Sequence, residues 1–152
     1  MTQAQQAPLR FLGTWKLTRA VGNFSPWEVT PASGIASFTE ESGGIRHNFD
    51  GADSSGKAMH ESWLCPTDGC WVPTDKSAAA FIDNDEASIK VCEDGSLELS
   101  LKQAGNQTGM ISSTISADGQ TMTTNWTYRG AYDDGADPHQ WKPKVTATLA
   151  RE

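Results

Sequence analysis

The chain has 152 residues, 37% of them hydrophobic, and carries 12 Lys and Arg against 19 Asp and Glu, which gives a net charge of −7. This acidic balance, without any cluster of basic residues, argues against binding to nucleic acid or to an anionic membrane surface. A single domain of this length can bury a hydrophobic core without disulfide bonds or metal sites. The low apolar content fits a fold with an interior cavity better than one with a solid core.

Alternation of apolar and polar residues is the dominant pattern, and it recurs in short runs separated by turn residues, as in sandwiches and barrels. The first strands are predicted at LGTWKLTRA, GIASFTE, GIRHNFD, KAMHESWL and CWVPT. The later ones are predicted at ASIKVCE, SLELSLKQ, GMISSTIS, QTMTTNWTYR and KVTATLA. Helical periodicity is nearly absent, so the pattern predicts an all-β protein of about eight to ten strands.

Short turns connect most of these strands. The DG pair at 94–95 is a signal for a two-residue type I′ hairpin, and ADG at 117–119 joins the next two strands. Strands joined in this way form an antiparallel up-and-down sheet, and a sheet this long closes because closure removes its exposed edges. The sequence therefore predicts a single up-and-down antiparallel β-barrel.

The three cysteines are an odd number, which fits a reducing compartment better than a disulfide scaffold. Cys65 and Cys70 flank the turn PTDG and can meet across a hairpin, which leaves Cys92 alone. A zinc site made of these two thiols and a histidine would lack a second paired motif. We expect isolated thiols, no metal and no cofactor.

A histidine lies on an apolar strand face. On GIRHNFD, Ile45, His47 and Phe49 share one face, so His47 is predicted to point into the barrel. A buried histidine can act as an acid, a base or a hydrogen-bond donor near neutral pH. The alternative is a histidine that bonds a neighbouring carbonyl or lies at the rim.

A carboxylate shares a face with two large apolar residues on the next strand. On KAMHESWL, Met59, Glu61 and Trp63 lie on one side and His60 on the other. If the first face points inward, Glu61 enters the barrel, where it can meet His47 across the interior, and desolvation raises its pKa toward that of a usable acid or base. If the other face points inward, Glu61 is a solvated surface charge.

A second apolar face, on QTMTTNWTYR, ends in a phenol that can donate a hydrogen bond. Aromatic residues from three strands can together form a wall for a flat ligand, although such residues are also ordinary core. The residues of this face and of the wall are Met122, Thr124, Trp126, Tyr128, Phe49 and Trp63.

Two longer segments, 23–33 and 132–143, interrupt the strand rhythm and are candidate flaps over a barrel mouth. Trp27 and Trp141 lie in them and Trp71 lies beside a loop, each near a proline. These tryptophans either contact a ligand from a lid, anchor their loops, or dock a partner protein.

The segment GTWKL at 13–17, followed in order by NFSP, DSSGKAMHE, DGCWVPT and SADGQTMT, resembles small bacterial lipocalin-like proteins of the calycin superfamily. The resemblance covers most of the chain and implies a calycin-like barrel. It implies that Trp15 closes one end, packed against an arginine from a late strand, for which Arg129 and Arg151 are the candidates. Ligand chemistry is then expected toward the other end.

The domain organisation follows from these elements. We expect a flexible tail over residues 1–10 and a lipocalin-like β-barrel over residues 11–152. The N-terminal residues show no signal-peptide pattern, and no run approaches the roughly 20 apolar residues of a membrane helix. The expected location is the cytoplasm, and the expected state is a monomer or a homodimer.

Two functions of different classes fit this barrel. The first is binding of a small hydrophobic or aromatic molecule in the interior, with candidate contacts Phe49, Met59, Trp63, Met122, Trp126, Trp27 and Trp141. The second is a cofactor-independent cyclase, isomerase or hydrolase acting on a natural-product-like substrate, with the candidate catalytic residues His47, Glu61 and Tyr128. Two or more polar groups that converge on one point of a cavity would favour the enzyme.

Overall fold

The computed structural model describes residues 10–22, 30–74, 84–93, 95–128 and 143–152, with the side chains of Tyr128, Pro143 and Lys144 left out of that description. Ten strands make up the fold: β1 (Gly13–Gly22), β2 (Pro31–Glu41), β3 (Gly44–Asp53), β4 (Ala58–Cys65), β5 (Val72–Pro73), β6 (Glu86–Val91), β7 (Leu97–Gln103), β8 (Asn106–Ile115), β9 (Thr121–Tyr128) and β10 (Pro143–Arg151). Among the described residues, no helix is long and apolar enough to span a membrane.

The strands form one antiparallel sheet in the order β4-β3-β2-β1-β10-β9-β8-β7-β6-β5. Every neighbour in the sheet is also a neighbour in the chain, except that the first strand pairs with the last. The sheet curls into a nearly closed up-and-down barrel, which confirms the predicted fold class. Large apolar side chains on alternate positions fill the inside, as the period of two requires.

The ladder is interrupted between β4 and β6. Asp68, in the loop after β4, forms an isolated bridge with Lys90 of β6, and Gly69 N donates to Ile89 O at 3.0 Å. The predicted strand CWVPT contributes the two-residue β5, and directly after it Thr74 N donates to Asp85 O at 3.0 Å. The loop after β4 thus covers part of the edge of β6 in place of a full strand.

The hairpin between β6 and β7 differs from its prediction. Gly95 N donates to Cys92 O at 2.9 Å, and Cys92 N donates to Ser96 O at 2.8 Å, so three residues lie between the paired ends instead of two. Gly95 has a φ of 87°, the left-handed conformation that follows the turn in three-residue hairpin loops. The two-residue type I′ turn is therefore wrong, although the hairpin itself is present.

One end of the barrel is closed by Trp15, whose side chain is fully buried. The guanidinium carbon of Arg151 lies 4.1 Å from the centroid of the Trp15 ring, and the indole Nε1 donates to Phe11 O at 3.0 Å. Arg151 also donates three hydrogen bonds of 2.8–2.9 Å, to the carbonyl oxygens of Arg10, Leu12 and Gly119. The expected packing of an arginine on Trp15 is confirmed with Arg151, whereas Arg129 lies outside the described residues.

The N-terminal segment reaches this closed end. Residues 1–9 of the predicted tail lie outside the described residues, but Arg10 Nη2 donates to Ser116 O at 2.9 Å. The opposite end of the barrel is where β1 ends, β2 begins, β9 ends and β10 begins, and there the strands border residues 23–29 and 129–142.

We expect Arg151→Lys to lower the free energy of unfolding by about 2–4 kcal/mol, because lysine keeps the charge but loses the planar stacking and the fixed fork of donors. Urea denaturation at neutral pH measures the change. The matched control is Arg19→Lys at an exposed position of β1, which should change stability by less than about 0.5 kcal/mol. Equal effects of the two substitutions would contradict the role given to Arg151.

Candidate functional site

The inner faces of β3 and β4 bring two ionisable side chains into the barrel. His47 is 9% exposed and Glu61 is 8% exposed, whereas His60 lies on the outer face, where it contacts Asp50. The face of β4 that carries Glu61 is therefore the inner one.

The relation between these two side chains differs from the prediction. His47 is paired with Trp63 and Phe49 with Glu61, so His47 and Glu61 are diagonal neighbours on adjacent strands. The interpretation that they meet across the interior is wrong, because the register of β3 against β4 places them on the same side of the barrel.

A cavity lies inside the barrel between these residues and the facing strands. Its empty space is about 360 Å³, including the part open to solvent, and the centre of a water molecule can occupy about 20 Å³ of it. The space of about 20 Å³ for water centres holds about one water molecule or slightly more. The lining residues are Ala36, Phe38, His47, Phe49, Glu61, Ile111, Ser113, Met122, Thr124, Trp126 and Leu149.

The imidazole of His47 is held between aromatic rings. It stacks on Phe38 with the ring centroids 4.3 Å apart and the planes 2° from parallel, and Trp63 lies 5.4 Å away at a tilt. Burial lowers the pKa of His47 to about 4, because a charged imidazole would lose its hydration there. Among the described residues, neither ring nitrogen has a hydrogen-bond partner. His47 therefore presents a neutral polar edge to the cavity at neutral pH.

A hydroxyl pair forms another polar part of the wall. Ser113 Oγ and Thr124 Oγ1 are 3.0 Å apart and both side chains are buried. Thr124 lies on the face that the sequence indicates as inward. Ser113 is not among the predicted site residues, although alternation in GMISSTIS places it on one face with Ile111 and Ile115. The pairing of Ser113 with Thr124 in the β8–β9 ladder could have revealed it.

Phe49 and Trp126 form the aromatic part of the wall. Their rings meet edge to face, with centroids 5.6 Å apart. Gly34 pairs with Gly51 on β3, and a Cβ atom at position 34 would lie 2.3 Å from the Phe49 ring. Glycine at position 34 therefore leaves the space that the Phe49 ring occupies.

The remaining candidate residues are placed as follows. Met122 lines the cavity, whereas Met59 and Trp63 are buried on the inner face without lining it. Trp27, Trp141 and the side chain of Tyr128 lie outside the described residues, so their predicted contacts stay predictions. Trp71 is half-buried, with Lys102 Nζ 4.0 Å from its ring centroid.

The thiols contribute no site. None of the three forms a disulfide bond; Cys65 is buried, Cys70 is exposed, and burial raises the pKa of Cys65 to about 11, so that thiol is protonated at neutral pH. Within the described ranges, no three His, Cys, Asp or Glu side chains come together as a metal site would require.

Solved structures with a similar fold exist, whereas no protein-family model and no curated protein matches the chain. EF1p2_mFAP2b bound to DFHBI has a TM-score of 0.50 and 17% identity, over 99% of this chain and 100% of the other. The redesigned β-barrel mFAP0 bound to DFHBI has a TM-score of 0.48 and 18% identity, over 93% and 99%. A de novo designed fluorescence-activating β-barrel has a TM-score of 0.49 and 12% identity, over 97% and 98%. At these identities the likeness concerns the fold alone.

The buried neutral state of His47 predicts a specific pH dependence of stability. The ordinary pKa of a histidine is 6.5 and that of buried His47 is about 4, so between these pH values the unfolded chain binds a proton that the folded chain does not. The stabilisation is complete above about pH 6.5 and is lost as the pH falls to about 4, by about 3 kcal/mol in total.

Urea denaturation at pH 7, 5.5 and 4 measures this loss. His47→Gln should reduce the fall in stability by that amount, because glutamine does not titrate. His60→Gln, on the outer face of the neighbouring strand, should keep the loss that His47 causes. An unchanged pH profile in the His47 variant would show that the imidazole is not buried as described.

The contact between Gly34 and Phe49 is testable by a double-mutant cycle. Gly34→Ala should lower stability by about 1–3 kcal/mol, because the added methyl group overlaps the Phe49 ring. The same substitution in a Phe49→Leu background should cost much less, because leucine is shorter than the ring. Equal costs in the two backgrounds, measured by urea denaturation, would place the strain elsewhere.

Proposed function

We propose that this protein binds a small aromatic or hydrophobic molecule in the interior of its barrel, in the manner of a lipocalin-like binding protein. The observation that carries the proposal is the cavity wall beside His47. It combines a buried imidazole that lacks a described hydrogen-bond partner with mostly apolar and aromatic surroundings. A polar edge that opens onto a cavity among mostly apolar side chains can form hydrogen bonds with water or ligand atoms.

The size of the cavity limits the ligand. The space of about 20 Å³ that is open to water centres is far smaller than an engineered cavity of about 150 Å³ that binds benzene. A ring-sized ligand therefore requires lining side chains to move apart. Single-ring molecules require the smallest movement, and they are the first candidates.

The comparison with known structures supports only the general idea. EF1p2_mFAP2b is bound to DFHBI, a small aromatic dye. A barrel of similar architecture can therefore hold such a molecule. The residues that we expect to contact the ligand are those that line the cavity of this chain.

Ligand binding can be tested without knowing the natural ligand. Native mass spectrometry of protein purified from its own organism should reveal a co-purifying small molecule. Benzyl alcohol, an uncharged single-ring probe, should show saturation transfer in ligand-observed NMR. Ala36→Leu, which adds three carbons at the cavity wall, should weaken its binding about tenfold or more.

Ala58→Leu is the matched control, because it adds the same atoms at an exposed position of β4. Binding of the probe should be unchanged in that variant. If neither a co-purified molecule nor the probe binds, or if both variants bind the probe like the parent protein, the interior is not the binding site.

An acid–base enzyme is the second candidate, favoured by the fact that His47 and Glu61 line one cavity. The lowered pKa of His47 weakens this candidate, because a base that is most effective near pH 7 has a pKa near 7. The co-purified molecule would distinguish the two functions. A substrate would be converted by fresh protein and not by Glu61→Gln, whereas a bound ligand would be recovered unchanged from both.

A further inference from the structure

The contact between Phe49 and Trp126 spans the interior of the barrel. Phe49 lies on β3 and Trp126 on β9, and three strands, β2, β1 and β10, separate these two in the sheet. Their rings nevertheless meet with centroids 5.6 Å apart. Side chains from strands so far apart in the sheet touch only across the lumen, so this contact marks one level of the cavity.

His47 lies one inward step below this level, toward the closed end of the barrel. It is two residues from Phe49, and it pairs with Phe38 of β2. Phe38 in turn pairs with Gly13, where β1 begins at the closed end. Successive inward residues of a strand are about 7 Å apart, two rises of about 3.3 Å each.

The hydroxyl pair lies one inward step below the same level on the opposite wall. The step on β9 from Trp126 to Thr124 also leads toward the closed end, because Arg151 N donates to Gln120 O just before β9 begins. Ser113 pairs with Thr124 from the neighbouring β8. The imidazole and the hydroxyl pair therefore line the cavity from opposite sides at a similar depth.

The two walls offer complementary hydrogen-bonding groups. The lowered pKa of His47 leaves its imidazole neutral at pH 7, so one ring nitrogen carries a hydrogen and the other accepts. In the pair of Ser113 and Thr124, one O–H donates to the other oxygen. Among the described residues, the second hydroxyl hydrogen has no acceptor. One wall can thus accept a hydrogen bond, and the opposite wall can donate one.

A single hydroxyl group suits the space between these walls. A hydroxyl donates through its hydrogen and accepts through its lone pairs. It is also about the size of the one water molecule that the cavity has room for. Most of the remaining lining is apolar, including Phe38, Ile111, Met122 and Leu149. A ring attached to the hydroxyl would pack among these side chains.

Building on the proposed binding function, we infer that the cavity takes an uncharged ring compound whose hydroxyl group bridges the two walls. The hydroxyl donates to the imidazole of His47 and accepts from the pair of Ser113 and Thr124. Specificity comes from this bridge. A purely apolar cavity would favour the same ring without the hydroxyl, because a hydroxyl that is buried without partners loses its hydrogen bonds to water.

Two uncharged probes test the bridge by isothermal titration calorimetry at pH 7: benzyl alcohol and ethylbenzene, which share a ring and have the same number of non-hydrogen atoms. We expect the parent protein to bind benzyl alcohol at least as tightly as ethylbenzene. His47→Leu and the double variant Ser113→Ala/Thr124→Val should each shift the ratio of the two constants about tenfold toward ethylbenzene, because each removes one side of the bridge. Retained binding of ethylbenzene shows that a variant is folded.

The matched controls make the same changes on the outer face. His60→Leu alters an exposed position of β4, and Ser112→Ala/Thr123→Val alters the outward neighbours of the hydroxyl pair on β8 and β9. Both controls should keep the ratio of the parent protein.

The outcomes separate the bridge from the binding function. If the parent protein prefers ethylbenzene about tenfold or more, or if either inner variant keeps the parent ratio, the bridge is wrong while binding in the interior stands. An unchanged ratio in both inner variants would assign the discrimination to another lining group, such as Glu61. If neither probe binds, the proposed function fails and the bridge with it. Should an inner variant not fold, the order of the probes in the parent protein and the other inner variant decide.

Discussion

The pairing of the first strand with the last is the constraint on which the rest of the structure depends. β1 and β10 pair in antiparallel register, with Trp15 directly opposite Arg151. This pairing joins the first and last strands of the chain within one sheet. This pairing puts an indole and a guanidinium from opposite ends of the chain in contact and closes one end of the barrel. It also gives the barrel a direction, because β1 and β9 end, and β2 and β10 begin, at the opposite end.

The interior follows from strand alternation inside this closed ring. Each strand presents every second side chain inward, and most of these are apolar, so the polar exceptions are few and close together. His47, Glu61, Ser113 and Thr124 are all of this kind. Their environment decides their chemistry: stacking between rings and loss of water keep His47 neutral, and the paired hydroxyls satisfy part of each other's hydrogen bonding. The result is a polar wall that accepts hydrogen bonds and carries no described positive charge.

Much of this arrangement could be predicted from the sequence, and the failures have definite physical causes. A period of two assigns a face to each residue, which is why the inward positions of His47 and Trp126 follow from their strands alone. It does not assign the register between strands, so the position of Glu61 beside His47 does not follow from it. It also cannot show that Ser113 faces a threonine on the next strand, because a lone serine on an apolar face has no distinctive neighbours in sequence.

The interrupted ladder between β4 and β6 has a mechanical consequence. Elsewhere around the ring, any increase in circumference would have to break rows of backbone hydrogen bonds. Between these two strands, the described hydrogen bonds include one from Trp63 Nε1 to Asn84 Oδ1 at 3.3 Å, just before β6, and one from Gly69 N to Ile89 O at 3.0 Å, in the loop after β4. Among the described parts of the sheet, this seam is therefore where the barrel can widen with the least loss of ladder hydrogen bonds. Trp63 packs beside His47, so this seam lies next to the cavity wall that His47 lines.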